Sequence, residues 1–396
     1  MNPDHDIIVV GAGPAALSFA RAMRSCPLLI TLLEQASKNS IVNPLYDGRD
    51  IALTHASRAL LQELGIWQLL DEDLIHPIHK ANVIDGKSPY ALQFDGSKKS
   101  YDELGFIVSN HLIRQTLYRA TKKQQNLSLE FESRLSSIST TGDGYVLKLD
   151  DGRSFSTRLL IAADSRYSTT RSQAGIAADI NDFACTAIVA RMRHETAHDH
   201  TAFECFHYGH TLAVLPLASH ESSVVVTANT DRANKLASLD EEEFASFVCE
   251  NFKHRLGPMK LSSPRFSYPL VGVHAKQFVK QGFALIGDAA VGMHPVTAHG
   301  FNLGLSSANL LATEITRAAA RGQDYSSEKV LRAYQARHIT ETRLMYYGTN
   351  GIVKLFTDEH LPAKLARKVV LRLANCLPPL KWAIEKKLTA IKSSQF

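Results

Sequence analysis

Long apolar runs are missing from this chain of 396 residues: stretches such as residues 28–33 fall far short of the roughly 20 that cross a bilayer. No membrane span is expected. The opening Met1-Asn-Pro-Asp-His-Asp6 places no basic leader before its apolar stretch, so the expectation is a cytoplasmic protein. Cysteine is sparse. Cys26, Cys185, Cys205, Cys249 and Cys376 are scattered, odd in number and free of any Cys-x-x-Cys pair, which suits a reducing compartment and argues against a zinc or redox-dithiol site. All five are read as packing residues, and no metal site is expected. Charge of one sign is also scarce: the net charge is +5 and mixed evenly over most of the chain, and basic and aromatic residues do not interleave as in an RNA-binding strand. Nucleic-acid binding is excluded on that ground. Internal repeats and low-complexity linkers are absent too. What is present is a 45% hydrophobic composition, enough for two domains or one large nucleotide-binding domain with insertions.

The first feature with chemistry is N-terminal. Residues 6–10 form an apolar β-branched run ending in Gly11-Ala-Gly-Pro-Ala-Ala16, residues 17–24 read as a helix, and a second apolar run at 28–33 ends in Glu34. This is a βαβ unit. Gly11 allows the tight turn, Gly13 lets backbone approach a pyrophosphate, and Ala16 is an accepted variant of the third glycine for close helix packing. Glu34 lies 21 residues beyond Gly13, near the spacing of about 20 expected of an acid that meets an adenosine ribose. A dinucleotide is implied, but FAD and NAD are not separated.

Further along, residues 60–74 read as a helix, 91–100 as strand or turn, and 110–123 as an amphipathic helix. From 183 to 228 the texture changes to short β-type segments (185–192, 202–208, 211–216, 222–228) with polar turns, the pattern of an antiparallel sheet in an inserted domain. Ser238 with Glu241 reads as a capping box opening a helix to Phe252. Residues 283–287 return to buried-strand composition. A long helix rich in small residues follows at 302–321, and the C-terminal stretch is helical and basic.

In Leu285-Ile-Gly-Asp288-Ala-Ala, Asp288 sits at the end of a buried strand, where ligands bind in open α/β sheets; capping the next helix is the plainer role for an Asp there. The continuation, His294-Pro-Val-Thr-Ala-His-Gly300-Phe-Asn302-Leu-Gly304, is a glycine-containing loop opening into the 302–321 helix, which presents amides and a positive dipole end to something electron-rich.

The glycine turn, Gly287-Asp288 with His294-Pro295, and the middle segment Leu160-Ile-Ala-Ala-Asp164-Ser-Arg-Tyr-Ser168-Thr-Thr-Arg171 together resemble the group A flavoprotein monooxygenases, the p-hydroxybenzoate hydroxylase superfamily. Within it, Arg49-Asp-Ile-Ala-Leu-Thr-His-Ala-Ser57 and His210-Thr-Leu-Ala-Val-Leu-Pro216-Leu217 resemble the ubiquinone-biosynthesis hydroxylases. The resemblance covers nearly the whole chain in the right order. It implies an α/β protein: a Rossmann-like FAD-binding domain (1–180 and 269–345), an inserted antiparallel-sheet substrate domain (181–268) and a C-terminal helical basic segment (346–396). It further implies FAD, NAD(P)H as electron donor, molecular oxygen, and a prenylated phenol or quinone precursor as substrate. Glu34 would hold the adenosine ribose, Arg49 and Asp288 the pyrophosphate and ribityl side, with Arg114 a further candidate. Gly287 and Pro295 belong to the matched motifs, and Gly300 to Asn302 would face the pyrimidine edge of the flavin.

Two departures stand out. The family's Asp-Gly is Asp164-Ser165 here, so a side chain occupies a tight backbone position on the NAD(P)H side. His299 stands where the family has glutamine, either touching the flavin or satisfied elsewhere. Halogenases of the superfamily carry Trp-x-Trp, which a chain with only Trp67 and Trp382 cannot contain. A flavin-bound but non-catalytic component of a biosynthetic assembly is the rival from another class. Residues 361–396 carry eight basic residues and one acid on two amphipathic stripes divided by Pro378-Pro379. These stripes either pack on the flavin domain or dock on an anionic membrane surface, the inner membrane, or on a partner.

Overall fold

The structure, a computed structural model, describes residues 4–85, 91–96, 102–207, 209–294 and 299–357, with side chains to 351. Pro295 and the basic tail 361–396 lie outside the described residues. Among those described, three sheets form. The first has a parallel centre in the order Phe283–Leu285, Ser154–Ala162, His5–Val10, Ile30–Leu33, Leu127–Glu130. Its strands read as continuous apolar runs because helices cover them: Ile7, Ile8, Val9 and Leu159 to Ala162 are fully buried. The helix Pro14–Ala22 returns the chain from the first strand to the second, and packs on the long helix His299–Ala320 through alanines such as Ala16, Ala20, Ala308 and Ala312.

The second sheet runs Val291–Gly292, Phe266–Ala275, Ala178–His194, Glu221–Asn229, His210–Pro216, Thr201–His207, Lys80–Asp85, Ala91–Asp95, with Met259–Leu261 beside Ala178–His194. Residues 185–192, 202–207, 211–216 and 222–228 thus do lie in antiparallel strands, neighbour to neighbour, while residue 208 is outside the described residues. The sheet also takes in residues 80–95, far earlier in the chain, through a parallel pairing of Thr201–His207 with Lys80–Asp85. Helices Thr230–Ser238 and Glu241–Asn251 cover its outer face, where Phe244, Val248 and Phe252 meet Val224 and Val226. A small third sheet (Asp50–Leu53, Gly105–Ser109, His76–Ile78) lies between the two large ones. One ion pair fastens it to the second sheet. The Arg191 guanidinium meets the fully buried Asp50 carboxylate at 2.6 Å, Ser109 bonds both, and the Tyr46 ring lies 5.0 Å from the cation.

Two local expectations are corrected. The helix expected over 60–74 is instead His55–Glu63 followed by single turns at Trp67–Leu69 and Glu72–Leu74. Thr54 starts it by accepting from the Ser57 amide, and Gly65 at φ +68° stops it. The capping box is Asp240 with Glu243, not Ser238 with Glu241. Ser238 is the last residue of the preceding helix and its hydroxyl donates to the Lys235 carbonyl, whereas an Asp at 240 can accept from the Glu243 amide at 2.8 Å.

Candidate active site

Three segments distant in sequence meet where the parallel sheet ends. Gly11 has φ +105°, and a Cβ there would stand 2.7 Å from the Ala163 carbonyl oxygen, so the first glycine turn is pressed onto the start of the 163–171 loop. Gly287 has φ +60°, and its Cβ would stand 2.8 Å from that of Ala15 in the first helix. A Cβ at Gly304 would stand 3.5 Å from the Gly287 Cα, and the Gly287 amide donates to the Ser307 hydroxyl at 3.0 Å. The two glycine turns and the N-terminal half of His299–Ala320 are therefore in van der Waals contact. Ala16 is fully buried beneath them.

Open space lies on the remaining side. Among the described residues, a Cβ added at Gly13 or at Gly300 would meet nothing within 4 Å, although both stand at helix N-termini whose first amides have no intrahelical acceptor. These two helix ends fit a ligand with an anionic bridge and an electron-rich ring, as FAD has. Glu34 ends the second strand beside this space. Its carboxylate accepts from the Ala12 amide at 2.7 Å and from the Ala36 amide at 2.8 Å, which shapes the glycine turn and leaves lone pairs for a ribose hydroxyl.

Asp288 is paired with Arg166 at 3.1 Å, and both are about one-third exposed. Arg171, buried, donates to the carbonyls of Arg166 at 3.2 Å and Ala289 at 2.8 Å, which ties the 164–171 loop to the Asp288 turn. Burial pushes the Arg171 guanidinium below its usual range. Asp164 does not point at open space. Its oxygens accept from the Ser168 hydroxyl at 2.5 Å and from the amide and hydroxyl of Thr170 at 3.1 and 2.9 Å, capping the short helix Thr169–Gln173.

Arg49 is half-exposed, forked onto Asp47 at 2.6 and 3.1 Å, and 5.3 Å from the Tyr268 ring. Burial would raise the Asp47 carboxyl, but the Arg49 guanidinium, with Asn110 behind it, holds it below the usual carboxylate range. Arg114 is half-buried on the helix Asn110–Thr121, with no hydrogen bond or ion pair among the described residues. Asn302 is spent on the protein: its side chain donates to the Ala52 carbonyl at 2.9 Å and accepts from the Thr54 amide at 3.2 Å. This ties the helix carrying His299 and Gly300 to the small sheet. His299 is half-buried in the first turn.

Sequence reasoning named neither Asp47 nor the bracing role of Arg166 and Arg171. The two arginines lie in the middle motif, residues 160–171, and their signal was two cations within seven residues of Asp164 at the end of a buried strand. Asp47 gave no signal beyond standing two residues before Arg49.

Ser165 sits at φ +83°, a region that costs a residue with a Cβ about 1–2 kcal/mol. Ser165→Gly removes that strain and adds backbone entropy to the unfolded chain, a partial offset. The expected result is a chain more stable by about 0.5 kcal/mol by urea denaturation, with flavin reduction by NAD(P)H unchanged or faster. A clear slowing of reduction would show that the Ser165 side chain assists the donor.

Residues 4–343 match the family described as FAD binding domain. Over 393 residues the chain is 47% identical to ubiquinone hydroxylase UbiM of Neisseria meningitidis, covering 98% of this chain and 85% of that one. It is 26% identical to 3-demethoxyubiquinol 3-hydroxylase of Escherichia coli, covering 96% and 97%. The solved p-nitrophenol 4-monooxygenase PnpA of Pseudomonas putida shares the fold, with TM-score 0.78 over 98% of this chain and 99% of that one at 17% identity. With its glycine turns, Asp288 turn and second sheet arranged as described, this chain belongs to the FAD-dependent monooxygenases of the ubiquinone hydroxylase family.

Proposed function

We propose that this protein hydroxylates the aromatic ring of a ubiquinone precursor, a prenylated phenol, with NAD(P)H and molecular oxygen. The observation that carries the reading is the meeting of the two glycine turns with the N-terminus of His299–Ala320, beside open space and under the second sheet. Bound FAD supplies the redox chemistry, accepting a hydride from NAD(P)H and activating oxygen for transfer to the ring. The protein holds and shields. Glu34 takes the adenosine ribose, while amides of the Pro14–Ala22 helix take the pyrophosphate, with Arg49 and Arg114 as flanking cations. Asp288, braced by Arg166, accepts from a ribityl hydroxyl. The amides following Gly300 face the pyrimidine edge of the ring, where the helix dipole favours negative charge. The apolar sheet overhead keeps bulk water from the reacting ring.

NAD(P)H oxidation stimulated by an ortho-prenylated phenol, with one hydroxylated product per NAD(P)H consumed, tests this function. A yellow protein that oxidises NAD(P)H without forming such a product would favour the rival, a non-catalytic flavin component.

The basic tail gives the enzyme a way to reach a lipid-borne substrate. No described helix is long and apolar enough to cross a membrane. The tail 361–396, with eight basic residues and one acid, docks on an anionic bilayer surface, each cation contributing about 1 kcal/mol there. The full chain is expected to co-sediment with vesicles containing anionic lipid at low salt, and a folded form ending at His360 is not. Equal binding by both would show that the tail is not what docks.

A further inference from the structure

The flavin-facing side of the second sheet can be read from strand register, because alternate residues face opposite sides. Arg191 reaches Asp50 of the small sheet, and the Tyr268 hydroxyl donates to the Asp47 carbonyl, so these two side chains mark the inner face. Val189 lies two residues from Arg191, opposite Phe266 and Val225. Val225 pairs with Ala213, Ala213 with Glu204, and Glu204 with Val83. One lateral row on the inner face is thus apolar except at Glu204. The neighbouring Cys205 turns the other way, into the cluster under Phe244 and Phe252.

Ala202, two residues earlier on the same face, packs with Leu215 on the cluster of Ile78, Ile107 and Leu217, and Ala52, whose carbonyl is held by Asn302 of the helix that carries Gly300, packs on the same cluster. The carboxyl makes no hydrogen bond or ion pair among the described residues. Glu204 is half-buried, between Ala213 and Val83 in that row. An acid so placed costs stability that the fold recovers nowhere in its own contacts.

We propose that Glu204 is the substrate anchor: its carboxyl hydrogen-bonds a ring oxygen of the phenol, while the apolar row beside it receives the ring and the start of its prenyl chain. This deepens the ring-hydroxylase reading and rests on it. A pocket of apolar walls with one polar group fixes orientation as well as affinity. Burial raises the Glu204 carboxyl to about 8, so at neutral pH it is largely protonated and both donates to and accepts from a phenol oxygen. Nothing in the sequence marks this residue, since a lone acid in a β-run is ordinarily solvated.

The test uses FAD-loaded protein, with 2-prenylphenol and prenylbenzene as probes and binding read from perturbation of the flavin spectrum. Wild-type turnover of 2-prenylphenol is measured first, and its absence counts against the proposed function rather than the anchor. Glu204→Leu is expected to weaken 2-prenylphenol about tenfold and Glu204→Gln less than about threefold, with prenylbenzene bound alike by all three. Melting temperature is expected to be unchanged or higher in Glu204→Leu, because a buried unpaired acid has been removed. Undiminished phenol binding by Glu204→Leu overturns the anchor. Equal weakening of both probes also overturns it, since a general packing defect would do the same, and so does wild-type protein that binds neither probe.

Discussion

Gly11→Ala is expected to give a protein that folds its second sheet yet purifies nearly colourless. A Cβ at this position meets the Ala163 carbonyl oxygen at 2.7 Å and its carbon at 3.0 Å. Both are backbone atoms, so no rotamer change relieves the clash. The φ of +105° adds about 1–2 kcal/mol of its own for a residue with a side chain. The turn must shift, and with it go the Glu34 bond to the Ala12 amide and the aim of the first helix. The FAD dissociation constant should rise at least about tenfold, which a loss of about 1.4 kcal/mol is enough to produce. Gly13→Ala is the control that separates turn geometry from ligand approach. Its φ is −73° and its Cβ meets nothing within 4 Å, so the flavin-free protein should melt as the wild type does. A weaker FAD dissociation constant in Gly13→Ala, with unchanged melting, would place the pyrophosphate against this residue. Full flavin content in Gly11→Ala would show that the turn absorbs the clash without losing its ligand.

What the sequence could carry was local, or was stated by a motif. The strand, glycine turn and helix from residue 5 to 22 were legible because one βαβ unit fits within 30 residues and its glycines have a single geometric use. The antiparallel strands between residues 185 and 228 were legible as short β-type segments with polar turns, though not the start of the long strand at Ala178. The small sheet was not, since Asp50–Leu53, His76–Ile78 and Gly105–Ser109 are short and gain their definition only by pairing with one another. Nor was the recruitment of residues 80–95 to the second sheet, a parallel pairing across more than a hundred residues of chain. Within the site, the reach of a side chain was the hidden quantity. Asn302 lies near the start of the long helix with its amide taken up by Ala52 and Thr54, and Asp164 caps a helix. Glu34 illustrates the opposite case, because a position chosen by spacing alone also shapes the turn it was expected to serve.

Lowering the pH from 7.5 to 5.0 is expected to destabilise the protein, through two histidines buried in the flavin domain and the half-buried His207 of the second sheet, which is also pushed down to about 4. His338 is 1% exposed, between the rings of Tyr334 and Phe278, and His294 is 3% exposed beside Phe183. Burial pushes both down to about 4. The folded chain therefore keeps them neutral over a range in which the unfolded chain, with histidine near 6.5, takes up protons. Their contribution is complete above pH 6.5 and is lost as pH falls from about 6.5 toward 4. At pH 5 the loss is about 2 kcal/mol for each, a large part of a net stability of about 5–15 kcal/mol. Glu204 works in the other direction, since an acid raised to about 8 costs stability as pH rises from about 4.5 toward 8. Between pH 7.5 and 5.0 that gain is about 3 kcal/mol, against about 2 kcal/mol lost at each of the three histidines, so the histidines decide the sign. Urea midpoints at pH 7.5 and 5.0 measure the difference directly. His338→Leu, which keeps an apolar side chain between the same two rings, should remove about 2 kcal/mol of the acid destabilisation. A variant whose midpoint falls as much as that of the wild type would show that the acid lability lies elsewhere.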